Sequence, residues 1–207
     1  NAKEKLRKHI WKLLQAEGVA KFPFPIEGRI PNFNGNEKAS HLVRTLDIWT
    51  HAKVIAVGPD FAQRKLRELA LKDGKIVVMA TPKLRKGYLL LDPEKVRGKE
   101  EIASTIKGAF RYGKLIAIEK MPKPDLIIIG SVGVDLEGNR LGKGGGYGDK
   151  EISELKRRFG KIPVLTVVHD LQVVEKVPTE PHDEKVDIIV TPTRVLRVLR
   201  VSNRNLT

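Results

Sequence analysis

The stretch Gly138-Asn139-Arg140-Leu141-Gly142-Lys143-Gly144-Gly145-Gly146-Tyr147-Gly148-Asp149 concentrates more chemistry than any other part of this 207-residue sequence. Glycine lets successive backbone N–H groups point the same way and lets a ligand approach where a Cβ would otherwise stand. Arg140 and Lys143 interleave positive charge with the glycines, and a helix predicted to begin near Asp149 presents its N-terminus close by. Such a loop suits a polyphosphate. Charge-assisted hydrogen bonds contribute about 1.5–3 kcal/mol each, so a handful gives micromolar binding. The loop is not a Walker A motif: Gly138 to Gly142-Lys143 is one residue short, and Gly144 stands where Ser or Thr would hold magnesium. Nor does it match the dinucleotide fingerprint, because no predicted strand leads directly through it into a helix. The competing reading is a flexible glycine loop with incidental charge, and the interleaving of glycines with cations speaks against it.

Other residues carry weaker signals. Asp149 suits a cap for the helix that follows it. His182-Asp183 reads as a turn before the last strand, and His169-Asp170 follows a strand, where site residues occur. Trp11 and Trp49 fit a core. The basic loop at 83–86 and the tail cations Arg194, Arg197, Arg200 and Arg204 suit a groove for RNA, held through phosphates without base readout. Aromatic residues make up only 5% of the chain and none of the common RNA-binding signatures is present, so a solvated basic face is the plainer account.

Composition bounds the choices. Lys and Arg number 39 against 25 Asp and Glu, a formal charge of +14, which points to an anionic partner. With no cysteine, a disulfide framework, a thiolate zinc site and a cysteine nucleophile are excluded. The longest strongly apolar runs, such as Leu126-Ile127-Ile128-Ile129, are strand-sized, far below a membrane span of about 20 residues. A cytoplasmic protein with no membrane contact is expected.

These residues need a scaffold to position them. Leu6, Ile10, Leu13 and Leu14 recur at helical spacing, and Gly18 ends that helix. Residues 22–36 form a long loop rich in Pro, Gly and Asn. Helices are predicted at 38–46, 64–71, 100–112 and 150–159, and strands at 54–57, 76–79, 126–129, 164–168 and 187–190. Strands that are apolar throughout, separated by helices, argue for a mainly parallel sheet covered on both faces, within a single domain over 1–207. Ligands of such sheets bind beyond the carboxyl ends of the strands.

The segment from Asn139 to Asp149 resembles the signature loop of the 5-formyltetrahydrofolate cyclo-ligases, also called methenyltetrahydrofolate synthetases. Val177-Pro178, His182-Asp183, Val186-Asp187-Ile188-Ile189-Val190-Thr191-Pro192 and the first helix with Lys3 and Leu6-Arg7 extend the resemblance over nearly the whole chain. It implies a three-layer α/β fold of the cyclo-ligase and NagB–RpiA–CoA-transferase kind, with ATP and Mg2+ as cofactors. The implied reaction phosphorylates the formyl oxygen of 5-formyltetrahydrofolate or a related formyl pterin, and ring closure gives 5,10-methenyltetrahydrofolate. By position, Lys3, Arg7, Arg140, Gly142, Lys143, Gly144, Gly145, Gly146 and Tyr147 would hold the nucleotide. Arg140 and Lys143 would act in phosphoryl transfer, and Asp149 and Asp183 would hold magnesium. Cations of the basic loop and tail would then face a polyglutamylated folate tail.

The chain departs from the family at Gly148, where a second tyrosine is usual, at Lys150, where Arg is usual, and at Gly130-Ser131-Val132. The family's acidic residue for the pterin falls near residues 56–63, where Asp60 is the available carboxylate. Phe22-Pro23, Arg29-Ile30-Pro31-Asn32-Phe33, Thr81-Pro82-Lys83-Leu84-Arg85 and Thr191-Pro192-Thr193-Arg194-Val195 are more similar to the branch of methenyltetrahydrofolate-synthetase-domain-containing proteins. A non-catalytic nucleotide- or RNA-binding protein of the same fold is the alternative.

Overall fold

Buried apolar runs pair side by side at the centre of the molecule, and the remaining elements cover them. The structure, a computed structural model, describes residues 1–199. Helix α1 (Ala2–Ala16) opens it, with the Asn1 side chain accepting from Glu4 N–H as a cap. The ribbon β1 (Ala20–Lys21) and β2 (Asn32–Phe33) pins the ends of the Pro-rich loop, and α2 (Asn36–Val43) and α3 (Asp47–Thr50) lead onward. Next come β3 (Val54–Val57), α4 (Arg64–Lys72), β4 (Ile76–Ala80), β5 (Tyr88–Leu91), α5 (Glu100–Ala103), α6 (Ile106–Tyr112) and β6 (Lys114–Ile116). The chain continues through β7 (Leu126–Ile129), β8 (Gly133–Val134), β9 (Arg140–Leu141), α7 (Tyr147–Phe159), β10 (Val164–Val167), β11 (Ile188–Val190) and β12 (Val195–Arg197).

The sheet runs β12-β11-β10-β7-β3-β4-β5-β6. Its central strands β11, β10, β7, β3 and β4 are parallel. Antiparallel β12 closes one edge and β5 with β6 the other. Every residue of β3, β7 and β10 is buried, as continuous apolar runs in a sheet covered on both faces require. Alternate side chains divide between two cores: Ile55 and Val57 pack with α2, α4, α5 and α6, whereas Val54 and Ala56 pack with Ile152 and Leu155 of α7. A third cluster sets Ile10 and Leu14 of α1 on Ile26, Ile30, Val132 and Leu141. The three-layer α/β expectation holds, and Trp11 and Trp49 are buried.

Several expected boundaries change. The helix predicted over 100–112 breaks into α5 and α6, where Thr105 Oγ1 accepts from Gly108 N–H at 2.9 Å and caps the second piece. A Cβ on Gly108 would lie 1.8 Å from the Ile102 carbonyl oxygen, so α6 crosses α5 at that glycine. Helix α7 starts at Tyr147 rather than near Asp149, with Gly146 as its N-cap, so Asp149 lies inside the first turn. The glycine loop does join a strand to a helix after all. That strand, β9, belongs to a two-stranded antiparallel ribbon and not to the main sheet. Arg200 and Arg204 lie outside the described residues. Among the described residues no helix is long and apolar enough to cross a membrane.

Strand order reverses between β3 and β7: the chain moves from β3 outward to β4, then returns to β3's other side as β7. At their carboxyl ends, where open α/β sheets form the crevice that receives ligands, the two strands lead into Gly58-Pro59-Asp60 and Gly130-Ser131-Val132.

Candidate active site

Asp135 shapes the turn that delivers β9. Its Oδ1 accepts from the N–H groups of Glu137 and Asn139, and its Oδ2 from Asn139 Nδ2 and Val177 N–H. Arg140 therefore enters the crevice in a fixed direction, 5% exposed, with Nε donating to the Gly130 carbonyl at 3.1 Å. Its Nη1 lies 3.6 Å from Asp149 Oδ1 and has no hydrogen-bond partner. Burial lowers the Arg140 pKa from its ordinary value, while the carboxylates of Asp149, Asp60, Glu151 and Asp183 oppose the change. A buried guanidinium surrounded by acids and holding a spare donor is ready to meet an anion.

The glycine loop lies above it. Arg7 Nε donates to the Gly142 carbonyl at 2.7 Å, so α1 holds the loop at its entry. Gly144 and Gly146 adopt positive φ, +119° and +78°, a conformation that disfavours other residues. Nothing lies within 4 Å of where a Gly146 Cβ would stand, and at Gly144 the nearest atoms belong to the Arg7 guanidinium at 3.7 Å. The result is an open cradle at the N-terminus of a 13-residue helix, with Tyr147 at its lip. Lys143 Nζ donates to Asp60 Oδ1 across the crevice at 2.9 Å.

Arg67 fixes the loop that carries Asp60. It is 1% exposed, with Nη1 donating to the carbonyls of Gly58 and Asp60, and Nε to that of Ser104. Burial draws its pKa down to about 9, with Asp60 pulling the other way.

Two further acids face the cradle from the other side. Asp183 Oδ2 accepts from Lys3 Nζ at 2.7 Å and from Glu180 N–H at 2.8 Å. Burial favours its neutral form, but the Lys3 contact outweighs this together with the Glu180 bond and holds the carboxyl below its usual range. Asp149 Oδ1 accepts from Glu184 N–H at 3.1 Å, which ties α7 to the 183–184 turn. All eleven residues proposed from the sequence, Lys3, Arg7, Arg140, Gly142, Lys143, Gly144, Gly145, Gly146, Tyr147, Asp149 and Asp183, thus meet at one end of the sheet.

Buried side-chain atoms without a hydrogen-bond partner, among the described residues, are Gln63 Oε1, Arg140 Nη1, Glu151 Oε2 and Asp183 Oδ1. They gather at this site: Gln63 packs on Gly130, whose Cβ would stand 2.8 Å from Oε1, and Glu151 lies in the field of Arg140. Glu151 is 2% exposed, and burial pushes its carboxyl up to about 8 against the pull of Arg140. Unsatisfied buried polar groups are rare in folded proteins and mark sites of function. Gln63, Arg67 and Glu151 are additions to the residues proposed from the sequence. Glu151 had a signal: it precedes Ile152 and stands four residues before Leu155, on the buried stripe of α7. The cradle and Arg140 Nη1, which makes no hydrogen bond, fit a phosphate, and Asp183 Oδ1, which makes none either and lies 3.5 Å from His182 Nε2, is a hard oxygen donor of the kind a magnesium ion takes.

Other predicted sites lie apart. Asp170 gathers donors from Thr191, Thr193 and Arg194 beyond the ends of β10 and β11. Lys83, Arg85 and Lys86 are exposed beyond β4.

Fold and site together define a three-layer α/β protein with a glycine-rich loop at the start of α7, near a sheet switch point. Residues 1–192 match the 5-formyltetrahydrofolate cyclo-ligase family, and the chain belongs to it. It is 35% identical over 204 residues to the methenyltetrahydrofolate synthase domain-containing protein of Homo sapiens, covering 94% of this chain and 53% of that protein. The chain therefore spans about half the length of such curated relatives. A 5-formyltetrahydrofolate cyclo-ligase of Mycolicibacterium smegmatis is 32% identical over 107 residues, 45% of this chain and 54% of that protein. Among solved structures, Aquifex aeolicus 5,10-methenyltetrahydrofolate synthetase superposes with a TM-score of 0.61 at 24% identity, covering 97% of this chain and 94% of that one. A ribose 5-phosphate isomerase A from Neisseria gonorrhoeae shares the fold at 9% identity and a TM-score of 0.50, covering 88% of this chain and 100% of that one.

Proposed function

We propose that this site binds ATP with magnesium and cyclises 5-formyltetrahydrofolate, or a related formyl pterin, to its 5,10-methenyl form. The observation that carries the reading is the buried Arg140 guanidinium, whose Nη1 has an ion pair with Asp149 but no hydrogen bond, beside the open glycine cradle at the start of α7. When bound, ATP supplies the phosphoryl group that activates the formyl oxygen, after which the N10 amine closes the ring and phosphate departs.

The chain's own residues have separate tasks. Backbone N–H groups of Gly144, Gly145 and Gly146 cradle phosphate oxygens, with Gly142 and Tyr147 at either end. Lys3 and Arg7 approach from α1, and Arg140 and Lys143 neutralise charge that develops during transfer. Asp149 and Asp183 would hold the magnesium ion. Among the described residues no group of three or more His, Cys, Asp or Glu converges to hold a metal, so a magnesium ion here would depend on the nucleotide's own oxygens and water for its remaining ligands. Asp60, at the mouth, is the carboxylate placed to accept from pterin N–H groups.

A turnover assay following methenyl-folate absorbance tests the reading. Product formation that requires both ATP and magnesium is expected. Absence of product at every magnesium concentration overturns it. ATP binding without product would instead make the protein a nucleotide-binding member of the fold, and binding of RNA at moderate salt would assign the basic surface to that partner.

A further inference from the structure

Lys143 and Asp60 belong to loops that serve different halves of the crevice, yet each occupies the other. Lys143 stands beside the cradle of Gly144 and Gly146, where an anion competes for its ammonium. Asp60 precedes the exposed Phe61, whose ring packs edge-on against Phe22 with centroids 5.4 Å apart. Arg67 fixes the Asp60 backbone from below, so the carboxylate can swing while its base stays still. The pair is solvent-accessible, with side chains 45% and 22% exposed. Exposed pairs of this kind favour the closed arrangement only about two- to five-fold. That is weak enough for a ligand to open and strong enough to be felt.

We propose that the Lys143–Asp60 ion pair is a latch between the two substrate sites: an anion on the glycine loop takes Lys143, and the released Asp60 carboxylate accepts ring N–H groups of the second substrate. The inference rests on the reading of the site as one for a nucleotide and a formyl pterin. Both ligands need the open arrangement, so whichever binds first removes the cost of opening for the other. The coupling is reciprocal, and its size cannot exceed the closed-to-open ratio, about two- to five-fold.

Calorimetry on the full chain tests this with 5-formyltetrahydrofolate and a non-hydrolysable ATP analogue with magnesium, each titrated with and without the other. The wild type is compared with Asp60→Asn, Lys143→Met and the double variant, after circular dichroism has shown that each folds. In the wild type each ligand is expected to tighten the other by about two- to five-fold. Asp60→Asn alone should tighten the analogue by the same factor, and should have no effect on it in the Lys143→Met background. If both ligands bind the wild type independently, or if Asp60→Asn acts equally with and without Lys143, the latch is overturned while the reading of the site stands. If neither ligand binds, the reading fails and the latch with it.

Discussion

Gly148 and Arg140 fit against each other so closely that a Cβ on Gly148 would stand 2.1 Å from Arg140 Nη2. The guanidinium occupies space that any other residue type would claim. Gly148 is the seat of a buried arginine.

Gly148→Ala should therefore displace Arg140 from beneath the cradle. Overpacking at such a contact costs about 1–3 kcal/mol of stability, and ATP affinity should fall at least tenfold. Denaturant unfolding and calorimetry read the two effects separately. Unchanged affinity would mean that Arg140 is not a phosphate ligand.

Lys143→Ala should behave in the opposite way. The side chain is partly exposed and its ion pair adds at most about 1 kcal/mol, so unfolding should shift little. ATP binding should weaken by about tenfold or more, the loss of one charge-assisted contact. Any RNA affinity carried by the basic loop at 83–86 should survive.

Arg67→Ala should be the most damaging of these changes. It leaves the carbonyls of Gly58, Asp60 and Ser104 without their donor, at about 1–3 kcal/mol for each that water cannot reach. Urea denaturation should show a loss of about 3 kcal/mol or more. A loss below 1 kcal/mol would show that the loop holds without it.

Glu151 predicts a pH dependence. Its folded pKa, about 8, lies above the ordinary carboxylate value of 4.5, so the folded state binds more protons between those limits. Stability contributed by the neutral form is complete below the unfolded pKa and declines as pH rises through the window, by up to about 1.4 kcal/mol per unit. Glu151→Gln should remove that slope and melt above the wild type at pH 9. Parallel melting curves for the two proteins from pH 5 to 9 would contradict this.

What the sequence discloses, and what it hides, follows from where each signal resides. Leu126-Ile127-Ile128-Ile129 and Val54-Ile55-Ala56-Val57 are legible because a strand buried on both faces has no polar position to interrupt it. The glycine loop is legible because its function restricts residue type directly. Strands of two or three residues, such as β6, β8, β9 and β12, are too short to show a period, and only their neighbours define them. Arg67 reads as a surface charge between Leu66 and Glu68. Its burial depends on carbonyls that the chain brings from Gly58 and Ser104. The break between α5 and α6 depends on a backbone crossing at Gly108 that no local pattern announces.

Helix α1 gives the site a timetable. Lys3 reaches Asp183 across 180 positions of sequence, and Arg7 reaches Gly142 across 135. Contacts at such separation form late, after more local pairings have closed the intervening chain. On the ribosome the first helix emerges long before either partner exists. Ile10 and Leu14 can meet Ile26 and Ile30 early, but their contacts with Val132 and Leu141 wait until the ribbon of β8 and β9 has been made. The glycine loop gains its Arg7 anchor only when α1 packs onto β9 and the loop that follows it, so the Asp60 side of the site takes shape before the glycine side is complete.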